Sequence, residues 1–147
     1  MSIKIIFNFK DVSFLLPNRK LLKTFIAKLF QKEQITVQQL DYIFCSDQYL
    51  LKLNKTYLGH DYYTDVITFT LSDSSEPIRG EIYISIDRIR ENAKLYDRSF
   101  RNELHRIMLH GALHLSGYTD KRKKDKELMT KKEDYYLTQF IKVSRGT

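Results

Sequence analysis

The most informative segment of the chain is Leu109-His-Gly-Ala-Leu-His-Leu-Ser-Gly-Tyr-Thr-Asp120. Ile107 and Met108 precede it, and its first half is apolar apart from its histidines and a glycine, which predicts a helix buried nearly all round. Gly117 stands where a C′ glycine with positive φ would end that helix and let the chain turn back. The stretch therefore predicts a buried helix that ends in a sharp turn.

Hydrophobic periodicity outside this stretch predicts the remaining elements. Apolar alternation and runs of β-branched or aromatic residues predict strands at Ile3–Phe9, Asp41–Cys45, Asp65–Leu71 and Ile82–Ile86. Helical spacing predicts helices after Asn18, from Ser46 to Gly59, and over Asp87–Tyr96, Ser99–Leu115 and Asp125–Ile141. The short Ser72–Pro77 loop makes the last two strands an antiparallel pair. This order predicts an α+β fold, a mostly four-stranded mixed sheet packed with about five helices.

Length and composition restrict the class of protein. The 147 residues, with only five glycines and two prolines, predict a single domain spanning residues 1–147. A net charge of +7 favours a polyanionic partner. Cys45 is the single cysteine and cannot form an internal disulfide, so a reducing, cytoplasmic location is expected. The segment after Met1 lacks a secretory apolar region, and no apolar run is long enough to cross a bilayer, so no membrane partner is expected.

Two histidines of the opening stretch have the spacing of metal ligands. His110 and His114 are four residues apart, so on a helix both rings emerge from one face, a single turn apart. That spacing lets two imidazoles meet one ion at about 2.0–2.1 Å each. Asp120 follows the turn at Gly117 with a carboxylate able to reach the same ion. The pattern predicts one zinc ion per chain at the C-terminal end of a buried helix.

Three protein ligands leave a fourth position open, which is typical of a catalytic rather than a structural zinc site. The alternative is that His110 and His114 are core residues satisfied by backbone carbonyls, with Asp120 at the surface. Gly111 has two interpretations of its own, close packing of the helix or space for a substrate to approach the metal. Asp65 is either a carboxylate close to the metal or a cap of the loop before its strand.

The same histidine spacing occurs in a class of zinc peptidases, which is the competing interpretation of the site. Those enzymes carry a glutamate directly after the first histidine, as the general base. Gly111 occupies that position here and can transfer no proton. His105 cannot replace the glutamate, because five residues place it about 140° around the helix from His110. We interpret His105 as a surface or packing residue.

A dense basic run follows the third predicted ligand. The residues directly after Asp120 are Lys121, Arg122, Lys123 and Lys124, with Lys126, Lys131 and Lys132 beyond. Such a run is usually a solvated helix N-terminus. Next to a hydrolytic metal site it also predicts a surface that holds the phosphate chain of RNA. Tyr118, just before Asp120, could stack on a base or pack against the protein.

His110-Gly-Ala-Leu-His-Leu-Ser-Gly-Tyr118 closely resembles the signature of the YbeY family of metal-dependent endoribonucleases. Three further parts of the chain resemble family segments in the same order: Leu53–Tyr57 with Thr64–Phe69, Gly80–Ser85, and Met129–Glu133. The resemblance implies a zinc-dependent endoribonuclease of ribosomal RNA maturation, particularly of the small-subunit RNA. It also implies RNA, the ribosome or ribosomal proteins as partners, and no small-molecule cofactor.

The chain departs from the family pattern at two positions. The family's usual ending, Gly-Tyr-Asp-His with histidine as third ligand, is Gly117-Tyr-Thr-Asp120 here, and aspartate is an acceptable zinc ligand. Leu58 stands where the family carries an arginine thought to serve catalysis, so no catalytic side chain is assigned. Arg79, beside Gly80, is the candidate substitute. This departure leaves a second function open, a non-catalytic, zinc-stabilised protein that binds the ribosome or RNA.

Overall fold

The structure is a computed structural model, and it describes residues 3–145. Within that range the chain forms four strands and five α-helices. The strands are β1 (Lys4–Phe9), β2 (Val37–Cys45), β3 (Val66–Thr70) and β4 (Ile78–Ser85). The helices are α1 (Arg19–Lys32), α2 (Asp47–Leu53), α3 (Ile86–Leu95), α4 (Phe100–Leu115) and α5 (Lys123–Arg145), and a π-helical turn, Asn54–Leu58, follows α2. None of the described helices is both long and apolar enough to span a bilayer.

The strands form one mixed sheet in the order β1-β2-β4-β3. β1, β2 and β4 run parallel, with Tyr42 of β2 opposite Ile82 of β4. β3 runs antiparallel to β4, places Thr68 opposite Ile82, and is an edge strand. The predicted α+β fold with a four-stranded mixed sheet, and the antiparallel pairing of its last two strands, are confirmed.

The sheet is covered on both faces. On one face Tyr42 and Phe44 of β2 and Ile82 of β4 belong to a large buried cluster that includes residues of α1, α4 and α5. On the other face α2 contributes Leu50 to a smaller cluster with Cys45. Burial of the Cys45 thiol raises its pKa to about 12, so this cysteine is a small, inert core residue.

Helix α4 lies very close to strand β4, and two glycines make this possible. A Cβ added at Gly111 would stand 2.8 Å from the side chain of Ile82, and one at Gly80 would stand 2.8 Å from the side chain of Leu115. The buried hydroxyl of Tyr42 also donates a 2.8 Å hydrogen bond to the Met108 carbonyl. Close packing against the sheet is therefore the reason for glycine at position 111.

Some element boundaries differ from those predicted. β2 begins at Val37 rather than Asp41, because pairing with β4 extends the strand through Gln38 and Gln39, whose polarity hides it from a periodicity analysis. Ile86 begins α3 instead of ending a strand, because the Ser85 side chain caps that helix by accepting the Arg88 amide. Met1, Ser2, Gly146 and Thr147 of the predicted 1–147 domain lie outside the described residues.

Candidate metal centre

Both predicted histidine ligands lie on the C-terminal half of α4. Ser99 begins this helix as its N-cap, with a side chain that accepts the Asn102 amide. The rings of His110 and His114 have centroids 5.1 Å apart and planes at 84° to one another. The helical repeat that places them on one face thus leaves room between the rings for a shared partner.

The turn after α4 returns the chain toward these histidines. Gly117 has a φ of +108°, a backbone conformation that residues with a side chain rarely adopt. The amide of Gly117 donates to the His114 carbonyl and that of Tyr118 to the Leu113 carbonyl, both at 3.1 Å. These two bonds form the Schellman ending of a helix. The reversal brings Asp120 back alongside the last turn of α4.

Asp120 offers one oxygen to each ring. Its Oδ2 lies 3.5 Å from Nε2 of His110, and its Oδ1 lies 3.5 Å from Nε2 of His114. One ligand atom from each of the three residues lies within 4.8 Å of the others. Zinc bonds of about 2.0–2.1 Å in a tetrahedron place ligand atoms about 3.3–3.5 Å apart. Two imidazoles and a carboxylate at this spacing could hold a metal ion, and their chemistry fits zinc.

The centre opens toward solvent on one side. Side-chain exposure rises from 14% at His110 to 31% at His114 and 41% at Asp120. Burial on the His110 side restricts the movement of that ring. Exposure on the Asp120 side leaves space through which a substrate could approach.

One contact of this centre is not predicted by the sequence. Nδ1 of His110 lies 2.5 Å from Oε2 of Glu133, a buried carboxylate on α5. Glu133 Oε1 in turn accepts a 3.3 Å hydrogen bond from Arg106 of α4. The only indication in the sequence is that Met129–Glu133 resembles a family segment, and that resemblance assigns no role to Glu133. The contact spans two helices that only tertiary packing brings together.

The two histidines have pKa values shifted in opposite directions. Burial lowers the pKa of His110, but the Glu133 hydrogen bond and the negative charges of Glu133, Asp120 and Asp65 outweigh it, so the pKa is raised. Burial and the positive charge of His110 lower the pKa of His114, and Asp120 opposes this only in part. The His114 ring is therefore neutral near pH 7, whereas a metal ion at His110 would have to compete with a proton.

Tyr118 anchors the turn that carries Asp120. Its hydroxyl donates a 2.6 Å hydrogen bond to Oε1 of Glu33, directly after α1, and the ammonium of Lys132 lies 5.5 Å from the centre of its ring. The Tyr118 backbone also forms a hydrogen bond with the His114 side chain. Of the two roles that the sequence allows for Tyr118, stacking on a base or packing against the protein, these contacts support packing.

Asp65 lies close to His110 but has its own structural partner. Its carboxylate accepts a 3.3 Å hydrogen bond from Asn92 of α3. Burial raises the pKa of Asp65, and the nearby charge of His110 only partly offsets this. Asn54 donates a 3.0 Å hydrogen bond to the Tyr62 carbonyl in the same loop before β3. The loop is therefore bonded to α3 through Asp65 and to the end of α2 through Asn54.

The model of one protein family, described as Endoribonuclease YbeY, matches residues 8–141 of the chain. The chain belongs to the YbeY endoribonuclease family. A relative named Endoribonuclease YbeY from Cytophaga hutchinsonii is 48% identical over 134 residues, which cover 90% of this chain and 94% of the relative. Another of that name, from Amoebophilus asiaticus, is 45% identical over 128 residues, 87% of each chain. The solution structure of TM1509 from Thermotoga maritima matches with a TM-score of 0.64 and 29% identity, over 97% of this chain and 92% of that one.

The YbeY resemblance drawn from the sequence is thereby confirmed, and the basic run can be placed within the family's fold. Lys121 and Arg122 lie in the turn after Asp120, and Lys123 and Lys124 begin α5; all four are exposed. The run is thus a solvated helix start, as its composition suggested, and it lies directly beside the open side of the centre.

The structure also shows the surroundings of Leu58, the position at which the family resemblance implies an arginine. Leu58 ends the π-helical turn, is 44% exposed, and precedes Gly59, whose φ is +68°. Arg79 lies on β4 next to Gly80, which faces Leu115 of α4. Because neighbouring strand residues point to opposite faces, Arg79 points away from α4. Its placement gives no support to Arg79 as the arginine's substitute.

Proposed function

We propose that this chain is a zinc-dependent endoribonuclease that hydrolyses RNA phosphodiesters in ribosomal RNA maturation, particularly of the small-subunit RNA. The observation that carries the proposal is the convergence of His110, His114 and Asp120 within 4.8 Å in a chain of the YbeY family. Relatives that match it over most of their length are named endoribonucleases.

His110, His114 and Asp120 are the residues that would hold the ion, and each has a distinct part. The imidazoles offer neutral nitrogen donors fixed on a rigid helix, while Asp120 offers an anionic oxygen from the turn. A bound zinc ion supplies Lewis-acid activation of water and polarisation of a phosphoryl oxygen. The exposed side at Asp120 leaves the RNA backbone a path to the centre.

The basic run would hold the phosphate chain of the substrate. Lys121, Arg122, Lys123 and Lys124 project into solvent directly after Asp120, so a phosphate they bind lies next to the reacting group. Contacts of this kind are electrostatic and independent of sequence, which suits positioning rather than choice of the cleavage site.

The site does not suit the competing peptidase interpretation. A zinc peptidase needs a carboxylate directly after the first histidine. Gly111 occupies that position and faces Ile82 of the sheet, and even a Cβ there would stand 2.8 Å from the Ile82 side chain, which would have to shift. The net charge of +7 also favours a polyanionic substrate over a peptide.

The proposed function also includes the partners, location, cofactor and domain organisation of the protein. RNA is the substrate, and the ribosome or its proteins are the further partners, with a cytoplasmic location that gives access to them. One zinc ion per chain is the cofactor. Residues 1–147 act as one domain.

Cleavage of a small-subunit ribosomal RNA precursor tests the proposal. Protein stripped of metal is assayed before and after addition of one equivalent of zinc, beside His114→Ala and beside His60→Ala, which removes an exposed histidine outside the centre. We expect zinc to restore cleavage to the parent chain and to His60→Ala but not to His114→Ala. RNA that is bound but never cut by the zinc-loaded protein would favour the non-catalytic alternative, and hydrolysis of casein would favour the peptidase.

A further inference from the structure

Glu133 reaches the candidate metal centre from a different helix. Its Oε2 lies 2.5 Å from Nδ1 of His110, while Nε2 of the same ring faces Asp120 at 3.5 Å. Each nitrogen of this imidazole therefore has a separate task. Glu133 itself is buried, so its carboxylate is not a surface group that happens to lie near the ring.

The contact fixes the form of the ring that a metal needs. A neutral imidazole carries one N–H, and the other nitrogen offers a lone pair. With a carboxylate against Nδ1, the N–H resides there and the lone pair of Nε2 is directed at Asp120 and the open centre. A carboxylate acceptor also makes the imidazole a stronger donor to a metal.

Arg106 holds the carboxylate in place. Its NH1 donates to Oε1 of Glu133 at 3.3 Å, and its NH2 lies 2.9 Å from Oδ1 of Asp134. Arg106 stands one turn before His110 on α4, so the same helix supplies the ring and the clamp on its partner. The guanidinium balances the negative charge that Glu133 adds beside the centre.

Among the residues that the structure describes, none places a comparable carboxylate on the side of the His114 ring that faces away from Asp120. The structure gives this ring a hydrogen bond with the Tyr118 backbone instead, and a peptide carbonyl carries no net charge. The centre is thus asymmetric: the His110 ring is oriented by a buried carboxylate from α5, and the His114 ring by the turn after α4.

We propose that Glu133 is a positioning residue of this centre, which accepts a hydrogen bond from the Nδ1–H of His110 and so holds Nε2 of that ring toward the metal ion. The inference rests on the proposed function, since it assigns a role only if His110, His114 and Asp120 hold zinc. It gives the Met129–Glu133 stretch a physical role that the sequence did not supply.

Zinc affinity, measured by competition with a chromophoric chelator, tests the inference. Glu133→Gln keeps the size of the side chain but removes the anionic acceptor, and we expect zinc to bind about 10- to 100-fold more weakly. Asp134→Asn is the matched control, because it makes the same change of charge one residue away, on the other carboxylate held by Arg106, without touching His110. We expect its zinc affinity to stay within about twofold of that of the parent chain, as the contribution of an exposed ion pair is small. The visible absorption of the cobalt(II)-substituted protein should shift in Glu133→Gln and not in Asp134→Asn.

A second measurement needs no substitution at Glu133. Nitrogen-15 NMR of the zinc-loaded parent chain reports which nitrogen of His110 carries its proton, with assignment by loss of the signal in His110→Ala. A protonated Nδ1 supports the inference, and a protonated Nε2 overturns it.

The outcomes separate this inference from the proposed function. Equal zinc affinity in Glu133→Gln and Asp134→Asn would overturn the role of Glu133, yet leave the centre standing if the parent chain binds one zinc that His114→Ala loses. A parent chain that binds no zinc would overturn both.

Discussion

Burial determines the protonation state of His105, which lies on the same helix as His110 and His114. Its side chain is 3% exposed and packs edge-on against Phe140 of α5, with ring centres 4.8 Å apart. Its Nε2 finds no hydrogen-bond partner among the described residues. Burial, with a smaller effect from the charge of Arg101, lowers the pKa of His105 to about 4. It is therefore a neutral packing residue, in line with the sequence interpretation.

We predict that His105 lowers the stability of the folded protein in mild acid relative to neutral pH. Its pKa in the folded state lies below the ordinary value of 6.5, so between about pH 6.5 and 4 the unfolded chain binds a proton that the folded chain does not. Between pH 7.5 and pH 5 the parent chain should therefore lose about 2 kcal/mol of its free energy of unfolding through His105, a loss that His105→Leu should not show. Urea unfolding of both proteins at the two pH values checks this, and an equal loss in both would contradict it.

The residues of the candidate site differ in how far sequence can predict them. The sequence predicts the grouping of His110, His114 and Asp120, because a helical repeat and a glycine turn, both local features, bring them together. It does not predict that Glu133 joins them, because the contact of Glu133 with His110 depends on how α5 docks on α4. The packing role of Gly111 also depends on a partner distant in sequence, Ile82 of the sheet, which only the folded structure identifies.

At the scale of elements, one carboxylate joins the end of α1 to the turn after α4 and to α5. Glu33 accepts hydrogen bonds from the hydroxyls of Tyr118 and Tyr136 and, at 3.3 Å, from the ammonium of Lys132. Burial alone would raise the pKa of Glu33, but these donors outweigh it and the pKa is lowered. The bonds therefore stabilise the fold above about pH 4.5, and this contribution is lost as the pH falls through the lowered pKa of Glu33.

We predict that Tyr118→Phe weakens both stability and zinc binding. The substitution removes a hydrogen bond to a charged group, which costs about 1.5 kcal/mol, and it frees the turn that carries Asp120. Tyr136→Phe is the control, because it removes another donor to Glu33 from α5 without touching that turn. Denaturant unfolding should show similar losses for both, whereas chelator competition should show weaker zinc binding for Tyr118→Phe alone. Unchanged zinc affinity in Tyr118→Phe would show that the turn holds Asp120 without Glu33.

Element types were predictable from local pattern, but some boundaries and all long-range pairings were not. β3 and β4 were readable as an antiparallel pair because a short loop joins them. The parallel pairing of β1 with β2 and of β2 with β4 depends on packing between strands separated by helices. The start of β2 is fixed by its neighbour, since Val37 pairs with Ile78 despite the glutamines that follow.

At the scale of the whole molecule, the net charge of +7 is unevenly placed relative to the metal centre. Lys121, Arg122, Lys123 and Lys124 concentrate positive charge beside the open side of the centre. Binding of single-stranded RNA to such a surface releases counterions, and the dependence of log K on log salt has a slope of about −0.7 per phosphate contact.

We predict that replacing these four residues by alanine weakens RNA binding and flattens its dependence on salt. If each makes one phosphate contact, the slope falls in magnitude by about 3, while zinc content stays unchanged. The control replaces four exposed lysines away from the run, Lys20, Lys28, Lys52 and Lys94, and so changes the net charge equally. Filter binding at several salt concentrations checks this. Equal effects of the two sets would mean that overall charge, and not the run, attracts RNA.

The central claim is that His110, His114 and Asp120 form a zinc site, and the most direct measurement is the zinc content of the untagged protein by plasma mass spectrometry. We expect about one zinc per chain in the parent protein and in His60→Ala, with loss of the metal in His114→Ala and Asp120→Ala. Absence of stoichiometric zinc in the parent chain, or its retention in both variants of the centre, would show that these three residues do not form a zinc site.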